Sequence, residues 1–254
     1  FDALLKHLDN KLDINEVPNL YHKDGFTFDK LVDLKKAKMA YHLISNVNNR
    51  IMYIETSRGC PFKCAYCLSS IDKSMRALSV DRVKADLRYF IYKRVMQVKF
   101  IDRTFNYDPH RACEMLEVFR EYDGRMHFHL EIHPALLNEQ VKGKLASMPS
   151  GLLHLEAGIQ SLDRKVLRES GRRGSLEASL EGLEFLCSLD NLQTHADLIA
   201  GLPEYNLEML CMDIIRLIEM GVDELQIESL KVLPGTKIRS SSKQSGLLYS
   251  PVPP

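Results

Sequence analysis

Strand-like and helix-like runs alternate strictly along most of this 254-residue chain, and that alternation restricts the fold more than any other feature of the sequence. Strands are predicted near Arg50–Thr56, Gln97–Asp102, Met126–His133, Leu152–Gln160, Leu192–Ala200 and Glu224–Val232. Helices fit between them at Val80–Lys93, Pro109–Tyr122, Ala135–Ala146, Leu176–Leu189 and Asn206–Met220. Gly, Pro, Asp or Asn bounds each run. Asp108 stands where an N-cap belongs, before Pro109 in a first turn that tolerates proline, and Gly221 is placed as a C-cap. Alternation of this kind argues for a parallel sheet with right-handed crossovers. The units in succession predict an α/β fold, a partial (β/α)6 TIM-like barrel.

The strands carry a second signal, a period of two. In Met126–His133 one face holds Met126, Phe128, Leu130 and Ile132, and the other His127, His129, Glu131 and His133. Tyr53 and Glu55, then His154, Glu156 and Gln160, then Gln193, His195 and Asp197, then Gln226 and Glu228 alternate with apolar neighbours in the same way. An antiparallel sheet with one face in water would also produce this pattern. In a parallel sheet, however, helices cover the outer face and the polar face points inward. Small barrels are normally filled with branched apolar side chains. One lined by carboxylates, imidazoles and amides reads as a ligand chamber.

Directly after the first strand, Arg58-Gly59-Cys60-Pro61-Phe62-Lys63-Cys64-Ala65-Tyr66-Cys67 collects three thiols and supplies no fourth. A cubane iron–sulfur cluster held by three cysteines keeps one iron open for a reacting ligand. Zinc would need a distant fourth ligand, for which nine histidines are candidates, but tetrahedral zinc sites usually present C-x2-C pairs. Three structural thiols crowded into eight residues of a Gly- and Pro-bearing loop would be unusual placement for small hydrophobes. Cys113, Cys187 and Cys211 lie singly in apolar, helix-like stretches and read as core.

The C-x3-C-x2-C spacing, with an aromatic residue before the last cysteine, resembles the signature of the radical S-adenosylmethionine (radical SAM) superfamily. In that family the open iron chelates the amino and carboxylate groups of SAM, and one electron splits the sulfonium to give a 5′-deoxyadenosyl radical. Further landmarks are similar to those of its coproporphyrinogen-oxidase-like, methylthiotransferase-like and cobalamin-linked groups, from about Ile51 to Thr236. The resemblance makes Cys60, Cys64 and Cys67 the iron ligands of a [4Fe-4S] cluster and puts the backbone around Tyr66 on the adenine. Where the family has a Gly-Gly-Glu or Gly-Gly-Thr stretch for the methionine ammonium, this chain reads Asp102-Arg103-Thr104. Thr104 matches and Asp102 and Arg103 depart; Asp102 would still supply a carboxylate to the ammonium, a substitution that resembles what cobalamin-linked members carry, and Arg103 is implied at the same site without an assigned role. Glu131, before His133-Pro134, would bind the ribose hydroxyls, Gln160 the nucleoside side of SAM and Arg172 its carboxylate, as a guanidinium suits. Asp197, in Asp197-Leu198-Ile199-Ala200-Gly201-Leu202-Pro203, is implied as a SAM-site residue, and the backbone near Lys231 and Val232 as a flank of the adenine.

The reaction so implied is reductive cleavage of SAM and hydrogen abstraction from an unknown substrate, with an electron donor such as flavodoxin or ferredoxin. The reading from a different class is a structural or electron-transfer iron–sulfur module without SAM chemistry. Lys+Arg and Asp+Glu balance at 34 each, so charge gives no argument for nucleic acid. No apolar run approaches a membrane span and no leader pattern opens the chain. A cytoplasmic, reducing location suits an oxygen-sensitive cluster. The chain opens on Phe1 and closes on Val252-Pro253-Pro254, and is expected to be a fragment. Residues 1–49 are expected to form a linker after a cobalamin-binding-like domain, with an amphipathic helix tail at Asp2–Leu12 and a strand and turn at Val17–Gly25. Residues 50–240 would then be the barrel and 241–254 a truncated C-terminal segment. Methylation with cobalamin in the full-length protein is one chemistry this subgroup implies.

Overall fold

A computed structural model describes residues 1–44, 46–47, 50–72 and 74–250. Parts of the expected linker (45, 48 and 49) and the closing Val252-Pro253-Pro254 lie outside the described residues. The chain divides into two compact units, Phe1–Met39 and a second from Ala40 onward. In the first, the expected helix spans Asp2–Leu8 and stops short of Leu12, and the expected strand and turn form a tight antiparallel pair, Tyr21–His22 with Gly25–Phe26. Thr27 Oγ1 donates to Val17 O at 2.6 Å, and Asn19 exchanges two hydrogen bonds with Lys30, so this small unit is tied by polar contacts.

The second unit holds a six-stranded sheet: β1 (Ile51–Ile54), β2 (Gln97–Phe100), β3 (His127–Ile132), β4 (Leu153–Gln160), β5 (Leu192–Ala200) and β6 (Glu224–Ser229). They lie side by side in chain order and every pairing is parallel, which removes the antiparallel alternative. Among the described residues β1 and β6 do not pair with each other, so the barrel is partial, as expected. The crossovers are α1 (Val80–Tyr92), α2 (Pro109–Arg120), α3 (Glu139–Ala146), α4 (Leu176–Cys187) and α5 (Leu207–Glu219). Each starts on a side-chain cap to a backbone N–H: Ser79, Asp108, Asn138, Ser175 and Asn206. Such a cap contributes about 1 kcal/mol. The third helix begins later than Ala135 because Pro134–Leu136 forms a separate 3-10 turn and Asn138 supplies the cap. A short helix at Arg164–Glu169 has too few residues to show a period and was not expected.

The core lies between the sheet's outer face and the helices. Phe100, Phe119 and Phe128 are fully buried, with the Phe119 and Phe128 rings stacked at 4.3 Å and Phe100 edge-on to Phe119 at 5.1 Å. Leu130, Leu153, Leu155, Ala157, Ala196 and Leu198 continue this layer across the central strands. Each large side chain contributes roughly 1.5–3 kcal/mol by leaving water. Helix α5 departs from the pattern. Its inner side is Asp213 and Leu217, and the Asp213 carboxylate accepts from Ser161 Oγ, Leu162 N and Tyr205 Oη at 3.1, 2.8 and 2.5 Å. The expected core position of Cys211 is corrected: it is exposed on the outer side of α5, whereas Cys113 is buried and Cys187 half-buried.

Close packing of α4 rests on one glycine. A Cβ on Gly182 would meet Pro134 O at 2.3 Å, while one on the exposed Gly143 of α3 would meet nothing within 4 Å. Gly182→Ala should therefore destabilise the fold by about 1–3 kcal/mol and Gly143→Ala should stabilise it by about 0.5–1 kcal/mol. Urea unfolding of the two variants checks the opposite signs.

Candidate functional site

The cysteine loop leaves β1 under a set of fixed constraints. Asp102, just past β2 and 2 % exposed, accepts hydrogen bonds from Thr56 N at 2.5 Å, Ser57 N at 3.0 Å and the Thr56 hydroxyl. Burial pushes its carboxyl up while these bonds pull it down, and burial dominates. Ser57–Arg58 then pairs antiparallel with Arg76–Ala77 and closes the loop at its neck. Gly59, at φ +96°, passes so close to Ser74 that a Cβ would sit 2.4 Å from its carbonyl oxygen. Inside the loop, Ala65 N donates to Ser170 O at 2.8 Å and Ile238 N to Ala65 O at 2.9 Å. The Phe62 ring stacks on His133 with centroids 4.3 Å apart.

These contacts bring Cys60, Cys64 and Cys67 to one cavity at the C-terminal ends of the strands, all three as free thiols. Thr104 Oγ1 lies 3.7 Å from Cys60 Sγ, and Arg172 Nη1 lies 3.9 Å from Cys64 Sγ. Burial raises the Cys60 thiol, a bias that a coordinated metal reverses by displacing the proton. Glu131, Glu156, Gln160 and Asp197 line the same cavity from β3, β4 and β5. The inward polar face expected from the period of two is thus what builds the chamber. Tyr66, Arg103, Gln160 and Asp197 also border an adjoining cavity that runs to Lys231 beyond β6, where Lys231 Nζ is 2.9 Å from Glu228 Oε2.

Asp102 is the predicted site residue that does not reach the chamber. Its carboxylate, expected on an ammonium ion, is taken up by Thr56 and Ser57, so its place is behind the loop. Arg103 occupies the rim instead, half-exposed and 3.7 Å from Glu131 Oε2. Two lining residues were not singled out beforehand. Glu156 accepts from Lys99 Nζ at 3.0 Å and pairs with His129 Nε2 at 2.6 Å. Burial would raise it, but those partners hold its carboxyl down at about 2. His133 is buried with neither ring nitrogen partnered, and burial keeps it neutral, down at about 3. The period of two put both on the inward polar face without giving either an individual role.

The backbone is strained where β4 ends. Gln160 holds φ +76°, and the pairing of β4 with β5 slips between Gly158 and Gln160. A Cβ at Gly158 would lie 2.5 Å from the Gln160 amide nitrogen, and the Gly158 carbonyl accepts from Arg172. Left-handed backbone at a residue other than glycine costs of order 1–3 kcal/mol and gathers at functional sites.

The family described as the Radical SAM superfamily matches residues 54–217. The hopanoid C-3 methylase of Methylococcus capsulatus is 26% identical over 241 residues, covering 87% of this chain and 45% of that protein. The cobalamin-dependent radical SAM methyltransferase TokK of Streptomyces tokunonensis is 25% identical, covering 78% of this chain and 30% of its own length. This chain therefore spans less than half of these relatives. Among solved structures, the radical SAM methyltransferase TsrM from Kitasatospora setae, with cobalamin and a [4Fe-4S] cluster bound, aligns at TM-score 0.65 and 16% identity over 80% of this chain and 41% of its own. The cobalamin-dependent SAM radical enzyme OxsB aligns at TM-score 0.65 and 16% identity over 95% of this chain and 37% of its own.

The chamber's carboxylates set a pH dependence. Burial, reinforced by Glu156, raises the Glu131 carboxyl from 4.5 to about 7. Between those values the folded chain keeps a proton that the unfolded chain has lost, so stability falls as pH rises through the window. Glu131→Gln has no such proton to lose. Its stability relative to the unsubstituted chain should grow from pH 4.5 to 7 and level off above, as read by denaturant unfolding across pH; a flat difference would show that the carboxyl is not shifted.

Proposed function

Because this chain belongs to the radical SAM superfamily, we propose that its barrel is the catalytic domain of an enzyme that cleaves SAM reductively and, within a longer protein, works with cobalamin to methylate a substrate. The observation that carries the reading is the meeting of Cys60, Cys64 and Cys67 in one cavity with Glu131, Asp197 and Arg172. The donor set fits a three-cysteine [4Fe-4S] cluster: three thiols face the cavity and no fourth cysteine lines it. When bound, the cluster and SAM supply a one-electron cleavage that yields the 5′-deoxyadenosyl radical.

The chain's own residues then hold and enclose. Cys60, Cys64 and Cys67 bind iron as thiolates, and the Arg172 guanidinium offsets negative charge beside Cys64. Its remaining N–H groups suit the SAM carboxylate. Glu131, held near Arg103, would take the ribose hydroxyls, and Asp197 and Gln160, on the same cavity, would complete the nucleoside side. Tyr66 and Lys231 border the adjoining cavity, which would take the adenine and the substrate. Three carboxylates around one cavity attract a cationic sulfonium, and low-dielectric walls strengthen that attraction. His133 on Phe62 shields the loop from water.

Cobalamin enters from the relatives: TokK and OxsB are cobalamin-dependent, and TsrM has cobalamin bound. Residues 1–49 are proposed as the connection to a cobalamin-binding domain. A small electron-transfer protein such as flavodoxin or ferredoxin in a reducing cytoplasm would supply the electron. Among the described residues no helix is long and apolar enough to cross a membrane. The substrate's identity is left to the adjoining cavity, since one fold hosts many chemistries.

Anaerobic reconstitution should load about four irons per chain. Ala at Cys60, Cys64 or Cys67 should abolish the cluster's absorbance, and Cys113→Ala should keep it; stoichiometric zinc in place of iron would overturn the assignment. In the reconstituted protein, Asp197→Ala should weaken SAM binding by roughly tenfold or more, the loss of one charge-assisted contact, with iron content unchanged. Unaltered affinity would remove Asp197 from the SAM site.

A further inference from the structure

We propose that His154, His195 and Glu224 form a second metal site, for a divalent transition cation of the zinc type, at the end of the barrel opposite the cysteine loop. These residues come from three adjacent strands, and their ligand atoms lie within 4.8 Å of one another. His154 Nε2 and His195 Nδ1 are each 3.8 Å from Glu224 Oε2. Tetrahedral zinc with bonds of about 2.0–2.1 Å needs ligands only slightly closer together. Parallel register places Glu224 beside His195, so the arrangement follows from strand pairing and not from a flexible loop.

The surrounding contacts prepare these atoms for coordination. His154 and His195 are 8% and 7% exposed, yet His154 Nε2 and both His195 ring nitrogens have no aligned hydrogen-bond partner. Gln193 Nε2 donates to Glu224 Oε1 at 2.6 Å and turns the other carboxylate oxygen toward the histidines. On the far side, His195 Nε2 faces Asp197 Oδ1 at 3.2 Å, the carboxylate–histidine–metal order that sets a ligating tautomer. Two imidazoles and one carboxylate leave a fourth position for water and suit zinc over the oxygen-seeking magnesium or calcium. A bound cation would tie the edge strand β6 to β4 as well as to β5, to which Glu224 is already joined through Gln193.

The site is independent of the cysteines, and the test uses that. In a Cys60→Ala, Cys64→Ala, Cys67→Ala chain stripped of metal, zinc titrated against a chromophoric chelator should bind at one equivalent per chain, and zinc should raise the thermal midpoint. Adding His154→Gln or Glu224→Gln should weaken zinc roughly 100-fold. Glu224 is half-exposed, so its substitution leaves the fold intact. Should the cysteine variant not fold, metal analysis of the iron-loaded protein reads the same point: one zinc beside the iron, lost in Glu224→Gln while iron stays. No stoichiometric zinc, or unchanged affinity in either ligand variant, would overturn the proposal.

Discussion

The direction in which the chain leaves β1 depends on one buried carboxylate. Asp102 gathers Thr56 and Ser57 from a different strand, so the end of β2 fixes where the cysteine loop begins. Removing that carboxylate would leave two backbone N–H groups unsatisfied in a dry environment, at about 1–3 kcal/mol each. Everything downstream inherits the position: the neck formed with Arg76–Ala77, the stack of Phe62 on His133, and the docking of Ala65 on Ser170. Asn106 extends the same logic to β3, where its side-chain amide clamps both backbone polar groups of His133 at 2.9 Å. Two short polar side chains thus hold the lip of the chamber rigid without touching what binds there.

The chamber is an electrostatic compromise. Glu131, Glu156 and Asp197 sit close enough that Glu156 raises both of the others, after burial has already done so. Glu156 has the closest partners, Lys99 at 3.0 Å and His129 at 2.6 Å, whereas Glu131 has Arg103 at 3.7 Å and Asp197 has His195 at 3.2 Å. The result is one carboxylate ionised over the whole working range and two whose ionisation a cationic ligand would favour. A positively charged guest therefore binds with a proton balance that differs from that of a neutral analogue.

The fold was legible because hydrophobic period and turn residues agree along the barrel. β5 has the expected ends, and β3 and β4 lie within a residue of theirs, because buried apolar alternation fixes a pleat. β6 ends at Ser229, short of Val232, since the apolar run continues beyond the last residue that has a partner on β5. The site was legible where residue type alone dictates chemistry, as for three thiols in one loop. It was misread at Asp102, because a carboxylate that accepts backbone bonds and one that meets a ligand look alike in sequence. His133 and Glu156 were legible only as part of the inward polar face and not in their individual roles, because those roles come from neighbours on other strands, which only register brings together.

The open side of the barrel has a consequence for handling the molecule. Among the described residues one edge of β6 is unpaired, with Ile227 46% exposed, and the neighbouring α5 turns Met212, Ile215 and Ile218 outward at 62%, 50% and 61%. An edge of backbone donors and acceptors beside an apolar helix face is a template for pairing between chains. Colloidal behaviour of this segment is thereby tied to the β6 edge and the outer face of α5, and concentration, salt and detergent act on it there.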